Sequence, residues 1–368
     1  VAIDGPTGLD LATGVDHGAL RVATTITFGG FQRGHVMARD VVGDVYVMEV
    51  GHPAPDPRVP TWIDLDWATQ HVPVFAADTH KAERGRVVVI VGESGLTGAA
   101  RLAARSAFAG GAGLVELVVP EELLAEVRGG EIEALVKGHP LRAPLQANLR
   151  DALEHSDAVV IGPGLGREPE RADFVLEVIA ASRRVVVDAD GLTVLAPHRE
   201  ALAKLAQDRA VILTPHRGEF RTLFGEYHHL VAEDPWAAAT MAAEASGATV
   251  LLKGVPTIVA HPGQAARTIT DGNPGLATGG SGDALAGLIG SLLGQRFEAI
   301  DAASMGACLL GLAADFAIAE LNVHTMRPLD VIATINDAWR YLTYRKDPDD
   351  GQMHTILVRG FLEPPARR

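Results

Sequence analysis

Cysteine is almost absent: Cys308 stands alone in 368 residues. One thiol makes neither an intramolecular disulfide nor a multi-cysteine metal site, which fits a reducing, cytoplasmic setting. It lies in the apolar stretch Ala307–Leu310, where a packing role is expected. Basic charge is also scarce, with 32 Lys and Arg against 46 Asp and Glu, a net charge of −14 and no basic run. That balance argues against nonspecific binding to nucleic acid or to an anionic membrane. A phosphorylated ligand must then be held locally, by backbone N–H groups or a few cations. Long apolar runs are missing too. Ala302–Ala314 is ended by Asp315, short of the roughly 18 to 20 residues that cross a bilayer, so no membrane span is expected. The 40 Gly and 21 Pro follow no three-residue period, which removes collagen-like and low-complexity readings.

What is present, 47% apolar and 21% charged residues, describes a globular chain longer than one usual domain. It opens on Val1-Ala-Ile with no basic segment ahead of it, and is expected to be cut at its N-terminus. Residues 1–51 read as strands and turns, with β-rich stretches at Val1–Ile3, Ala23–Phe28 and Val45–Val50. A unit this small rarely buries a self-sufficient core. Four prolines fall in Gly51–Pro60, so 52–74 is expected as a stiff linker. Over 75–345 the pattern alternates: β-branched runs at Val87–Val91, Leu114–Val119, Ala158–Ile161, Val185–Val187, Val211–Leu213 and Thr249–Leu252 each precede a turn and a helical stretch. This predicts an α/β fold with a mostly parallel, doubly wound sheet. Thr257–Ala260 and Ala265–Ile269 predict an antiparallel hairpin at the sheet edge. Asp283–Leu342 reads as nearly all helix, and 346–368 as a tail.

The most informative segment is Asn273-Pro-Gly-Leu-Ala-Thr-Gly-Gly-Ser-Gly-Asp283, followed by an apolar helix. Glycines before a helix leave N–H groups and the positive dipole end open to phosphate or an oxyanion. Asp283 is the only acid expected at that mouth, placed to take a proton from a hydroxyl attacking a phosphoryl group. The alternative is a plain helix cap or first-turn acid. Further motifs each follow a predicted strand: Gly92-Glu-Ser-Gly-Leu-Thr-Gly-Ala-Ala100, Ile161-Gly-Pro-Gly-Leu-Gly166, Asp188-Ala-Asp-Gly-Leu192, Leu213-Thr-Pro-His-Arg-Gly-Glu219 and Lys253-Gly254. Strand C-termini of open α/β sheets line the ligand crevice. On the helix after Gly92, the small face Ala99, Leu102, Ala103, Ser106, Ala107 and Gly110 predicts close approach to the sheet. Asp188 and Asp190 either cap the following helix or organise Mg²⁺ and the loop. His216 is either a turn histidine bonded to its own backbone or a ligand contact.

These motifs, in this order, resemble the ADP-dependent NAD(P)H-hydrate dehydratase family. The resemblance implies a ribokinase-like fold and repair of hydrated nicotinamide cofactors, NADHX and NADPHX, with ADP as phosphoryl donor, Mg²⁺ on the phosphates and a homo-oligomeric state. It places catalysis on Asp283, nucleotide binding on Lys253, Gly254, Val255, Pro256, Thr257 and Gly282, and hydrate binding on Ala99, Gly164, Gly166 and His216. Residues 1–51 resemble the C-terminal part of a Rossmann-like NAD(P)H-hydrate epimerase domain. Val1-Ala-Ile-Asp-Gly-Pro-Thr-Gly is similar to its signature and implies Asp4 at the substrate and Thr7 at K⁺ in a complete domain. Epimerase activity is expected to be lost in this chain. A vitamin-type kinase of the ribokinase superfamily, or a non-catalytic nucleotide-binding subunit, are the alternatives. No resident metal site is assigned.

Overall fold

Val87, Val88, Val89 and Ile90 are all fully buried, yet they enter two different cores. Val87 and Val89 pack into one cluster and Val88 and Ile90 into the other, because successive strand side chains point to opposite faces. A short, continuous apolar run is therefore a strand covered on both sides. In the computed structural model, which describes residues 1–53, 56–93 and 95–345, such runs form most of a ten-stranded sheet. The expected tail, 346–368, lies outside the described residues.

Three strands belong to an N-terminal unit: β1 (Ala2–Ile3), β2 (Thr24–Phe28) and β3 (Asp44–Met48), parallel and in that order. The large sheet comprises β4 (Thr61–Trp62), β5 (Arg86–Ile90), β6 (Leu114–Val119), β7 (Leu135–Gly138), β8 (Ala158–Ile161), β9 (Arg184–Val187), β10 (Ala210–Leu213), β11 (Thr249–Leu252), β12 (Thr257–Ala260) and β13 (Arg267–Ile269). Its order is β4-β13-β12-β11-β10-β9-β8-β5-β6-β7, with only the β11–β12 and β12–β13 pairs antiparallel. From β5 the chain steps outward to β6 and β7, then returns to the other side at β8. The crevice of a doubly wound sheet opens at such a reversal.

Four sequence expectations change. The stretch 52–74 is not simply a linker: β4 pairs with β13, and the helix Leu65–Gln70 follows, its start capped by Asp64 accepting from the Trp67 amide. The hairpin β12–β13 exists, but β4 rather than β13 forms the sheet edge. The helix that carries the apolar run does not stop at Asp315; Ala299–Ala317 is long and apolar enough to cross a membrane, by length and composition, but 83% of its apolar window is buried inside the fold. Its hydrophobicity is accounted for by packing against the sheet and neighbouring helices. Finally, the small face of the helix Thr97–Ala109 serves a helix as well as the sheet. A Cβ on Gly287 would fall 2.0 Å from the Ala103 carbonyl oxygen, and Ser106 Oγ donates to the Ala284 carbonyl at 2.6 Å. Only glycine at 287 permits the helix Ser281–Gly294 to lie this close.

Candidate active site

The loops after β5 and β8 meet at the sheet reversal, where the Gly92 amide donates to the Gly164 carbonyl at 3.1 Å. Next to them, Gly162 has φ +122° and a Cβ there would sit 2.0 Å from the Asp188 carbonyl oxygen, so glycine alone lets β8 turn against the end of β9. The Asp190 carboxylate accepts from the Gly166 amide at 3.2 Å and from Arg167 Nε at 2.6 Å. Asp188 Oδ1 accepts from Lys253 Nζ at 2.7 Å. Asp188 and Asp190 therefore bond across the sheet instead of capping the helix Asp190–Leu195, whose first turn has no side-chain cap.

Lys253 follows β11, its amide donating to the Pro215 carbonyl at 2.9 Å. Glu219 Oε2 lies 3.6 Å from its Nζ. Burial works to lower the Lys253 pKa, but the Asp188 carboxylate, followed by Glu219, outweighs it and holds the ammonium above its ordinary value. The turn after Lys253 is tied by Thr257 Oγ1 donating to the Gly254 carbonyl at 3.1 Å, with Gly254 and Val255 exposed and Pro256 buried.

His216 makes the backbone bonds of the turn reading through Nδ1 and still presents an exposed ring edge. It is the N-cap of the helix Arg217–Leu223: its Nδ1 accepts from the Gly218 and Glu219 amides at 2.9 and 3.2 Å, and its own amide donates back to Glu219. The ring stays largely exposed, with Nε2 at 3.3 Å from Glu219 Oε1. Ala99 lies in the first turn of Thr97–Ala109, two residues after Thr97. From the same helix, Leu102 occupies the space that a Cβ on Gly280 would need.

Asp283 is the third residue of the helix Ser281–Gly294, whose N-cap is Gly280 in the left-handed region. Among the described residues, the Gly282 and Asp283 amides have no acceptor within the chain, and the Ser281 hydroxyl is buried without a partner. A Cβ on Gly282 would lie 3.4 Å from Lys253 Nζ and 3.6 Å from Asp188 Oδ2. Open donors at a helix start beside an ammonium form a place for phosphate. Asp283 is not the only acid here. Burial first, then the Asp188 charge, push its carboxyl up to about 6, with Asp190 and Glu219 adding and Lys253 opposing. A carboxylate raised in this way is a stronger proton acceptor at neutral pH.

Lys253, Gly254, Gly282, Asp283, Gly164, Gly166, His216 and the Ala99 turn thus share one end of the sheet. Asp4 and Thr7 do not; they lie in the three-stranded unit. Asp188, Glu219 and Arg167 carry charge in the cleft, and sequence reading left them without a definite role. The signal for two of them was their place at strand ends, in Asp188-Ala-Asp and in Thr214-Pro-His-Arg-Gly-Glu219.

A family model described as NAD(P)H-hydrate dehydratase matches residues 87–337. The chain belongs to the NAD(P)H-hydrate dehydratase family. It is 35% identical to a bifunctional NAD(P)H-hydrate repair enzyme from Moorella thermoacetica over 98% of this chain and 69% of that protein. The corresponding Escherichia coli enzyme is 33% identical over 91% of this chain and 64% of its own length. The chain thus spans about two thirds of the length of these relatives. Among solved structures, an ADP/ATP-dependent NAD(P)H-hydrate dehydratase from Bacillus subtilis, co-crystallised with ATP and Mg²⁺, is 25% identical, covers 77% of this chain and 99% of its own, and superposes with a TM-score of 0.66. A ribokinase-like superfamily protein from Enterococcus faecalis gives 0.69 at 23% identity, over 80% of this chain and 100% of its own. The ribokinase-like fold and the dehydratase-type enzyme class are thereby established for the dehydratase family region.

Proposed function

We propose that this chain converts the (S)-hydrate of NADH or NADPH back to the dihydronicotinamide at the expense of ADP, with AMP and phosphate as products. The observation that carries this reading is the start of the helix Ser281–Gly294: open Gly282 and Asp283 amides, Lys253 Nζ beside Gly282, and a raised Asp283 carboxyl in one place. The amides and Lys253 hold the nucleotide phosphates, while Gly254–Thr257 lie along the rest of the nucleotide. Ala99, Gly164, Gly166 and His216 line the hydrate side. Asp283 accepts the proton of the C6 hydroxyl as its oxygen bonds to the β-phosphorus of ADP and the bond to AMP breaks. The ring-nitrogen lone pair then expels phosphate from C6, and loss of the C5 proton to the departing phosphate completes the double bond.

Among the described residues, no group of three or more His, Cys, Asp or Glu is arranged to hold a metal ion. Mg²⁺ would arrive on the nucleotide, where it needs only one or two protein carboxylates, and Asp188, whose Oδ2 lies beside Gly282, would hold it. When bound, it supplies neutralisation of phosphate charge. For residues 1–51 we propose no epimerase turnover. The Asp4 carboxylate is taken up by Thr27 Oγ1 at 2.9 Å and Gln32 Nε2 at 3.3 Å, and Thr7 is exposed. No K⁺ ion is assigned there.

The test is dihydronicotinamide absorbance on mixing the protein with ADP or ATP, Mg²⁺ and a mixed-epimer NADH hydrate. A fast phase consuming only the (S) form is expected. No recovery with either donor overturns the dehydratase reading, and fast loss of both epimers overturns the assignment of residues 1–51.

A further inference from the structure

Arg39 is a charged side chain only 7% exposed, on the short helix Arg39–Val42 of the N-terminal unit. The two largest charges acting on it come from the other unit: burial lowers its pKa, and Asp271, then Asp315, and last its own neighbour Asp40 oppose that. Asp271 follows β13 and Asp315 lies in the helix Ala299–Ala317. The two units are packed together at this place. Val36 belongs to one of the two cores of the large sheet, and Phe31 meets Trp62 edge to face at 5.2 Å. Trp62 Nε1 in turn donates to Thr270 Oγ1 at 3.0 Å.

From Asp315 a run of hydrogen bonds leads to the active site. Its two carboxylate oxygens accept from the Gly272 amide at 3.1 Å and from Asn273 Nδ2 at 3.0 Å. Asn273 Oδ1 accepts from the Gly275 amide at 3.0 Å, and Thr278 Oγ1 donates to the Gly275 carbonyl at 2.9 Å. The Ser281 amide donates to the Thr278 carbonyl at 3.2 Å, and two residues later comes Asp283. Asp271 packs against Gly311 of the same helix as Asp315. Two carboxylates close together in a partly buried place repel unless a cation is supplied, and the N-terminal unit supplies it.

We propose that Arg39 is a positioning residue for the dehydratase site, the counter-charge to Asp271 and Asp315 that keeps the loop 271–282 in the shape presenting Asp283. Burial and the Asp315 charge raise the Asp271 carboxyl to about 7, while the Cys308 thiol and Arg39 act to lower it. Without Arg39 the pair takes up a proton or separates, and the bonds to Gly272 and Asn273 are what separation disturbs. In this way residues 1–51 serve the dehydratase without performing chemistry of their own.

The activity readout rests on the dehydratase reading, so a second readout independent of turnover accompanies it: amide hydrogen exchange across 271–283. Arg39→Met is expected to lower kcat roughly tenfold with the KM for ADP changed less than about threefold, and to speed exchange in the loop by about tenfold. Arg39→Lys retains most of both, because it keeps the charge. Arg39→Met combined with Asp271→Asn is expected to return kcat and exchange to within about threefold of the parent, since one buried charge fewer then needs a partner. Unchanged kcat and exchange in Arg39→Met overturn the proposal. So does a double variant as impaired as the single one, which assigns Arg39 to packing. A parent protein with no turnover sinks the dehydratase reading, while the exchange comparison still decides the role of Arg39.

Discussion

The two sheets of this protein, one parallel and one mostly parallel, are built from similar residues and end in different circumstances. In the ten-stranded sheet β5, β8 and β11 are buried along nearly their whole length, and two large clusters cover the two faces. In the N-terminal unit the strands alternate, the cluster between them consists of Leu9, Val41, Val42 and Val45, and Val1, Ile3 and Leu20 are exposed. A sheet covered on both faces holds its strand ends rigidly, and loops at those ends can keep charged groups in fixed positions. A sheet covered mainly on one face must lean on a neighbour, as this one does through Val36, Phe31 and the Arg33–Asp234 ion pair. The difference teaches why the proposed chemistry is assigned to Lys253 and Asp283, while Asp4 is occupied by its own neighbours.

The sharpest way to break that comparison is to move activity away from the large sheet. Asp283→Asn is expected to lower turnover by roughly 10² to 10⁴ with ADP binding nearly intact, the usual worth of a positioned general base; calorimetry beside steady-state rates checks it, and retained activity returns Asp283 to a first-turn acid. Next come the two cores. Phe174→Ala, in the large sheet's core, is expected to cost about 3–5 kcal/mol, and Val45→Ala in the small one about 1–2 kcal/mol. Both are expected to shift a single denaturant transition, because Val36 ties the units together; two separate transitions would show that they fold apart.

Lys253→Ala has a smaller expected effect, a roughly 10- to 100-fold weaker ADP affinity with less loss at saturating nucleotide. Unchanged affinity in a titration places the phosphates elsewhere. The smallest effect concerns stability. The Asp283 carboxyl is raised from its ordinary 3.8 to about 6 by burial and then by Asp188, so its contribution to folding is favourable below the ordinary value and is lost as pH rises through 6. Asp283→Asn is therefore expected to be more stable than the parent above pH 6, by about 1–2 kcal/mol, with the gap closing toward pH 4. Denaturation midpoints at pH 7.5 and pH 4 read this directly; a variant less stable than the parent at pH 7.5 contradicts the electrostatic picture.

Much of the large sheet was legible because its central strands are unbroken β-branched runs, such as Val87–Ile90 and Val159–Ile161, bounded by glycine. β4 and β7 were not. Thr61–Trp62 is two residues long and follows prolines, and Leu135-Val-Lys-Gly138 has a single fully apolar-facing position, Val136. Within the site, Gly279-Gly-Ser-Gly-Asp283 announced a helix start with open amides. The partners of Lys253 were hidden, since Asp188 is 65 residues away along the chain and nothing local marks which carboxylate an ammonium will choose.

The sequence by itself determined the α/β order, the positions of the motif loops and, through their sequential set, the family, because turn chemistry and strand periodicity are local properties. The tertiary structure alone decided that three acids, Asp188, Glu219 and Asp283, act on one lysine, that Asp283 is raised to about 6, and that Arg39 answers Asp271 and Asp315 across the two units. Charge–charge energy depends on distance and burial, and both are set by the packing of segments far apart in the chain.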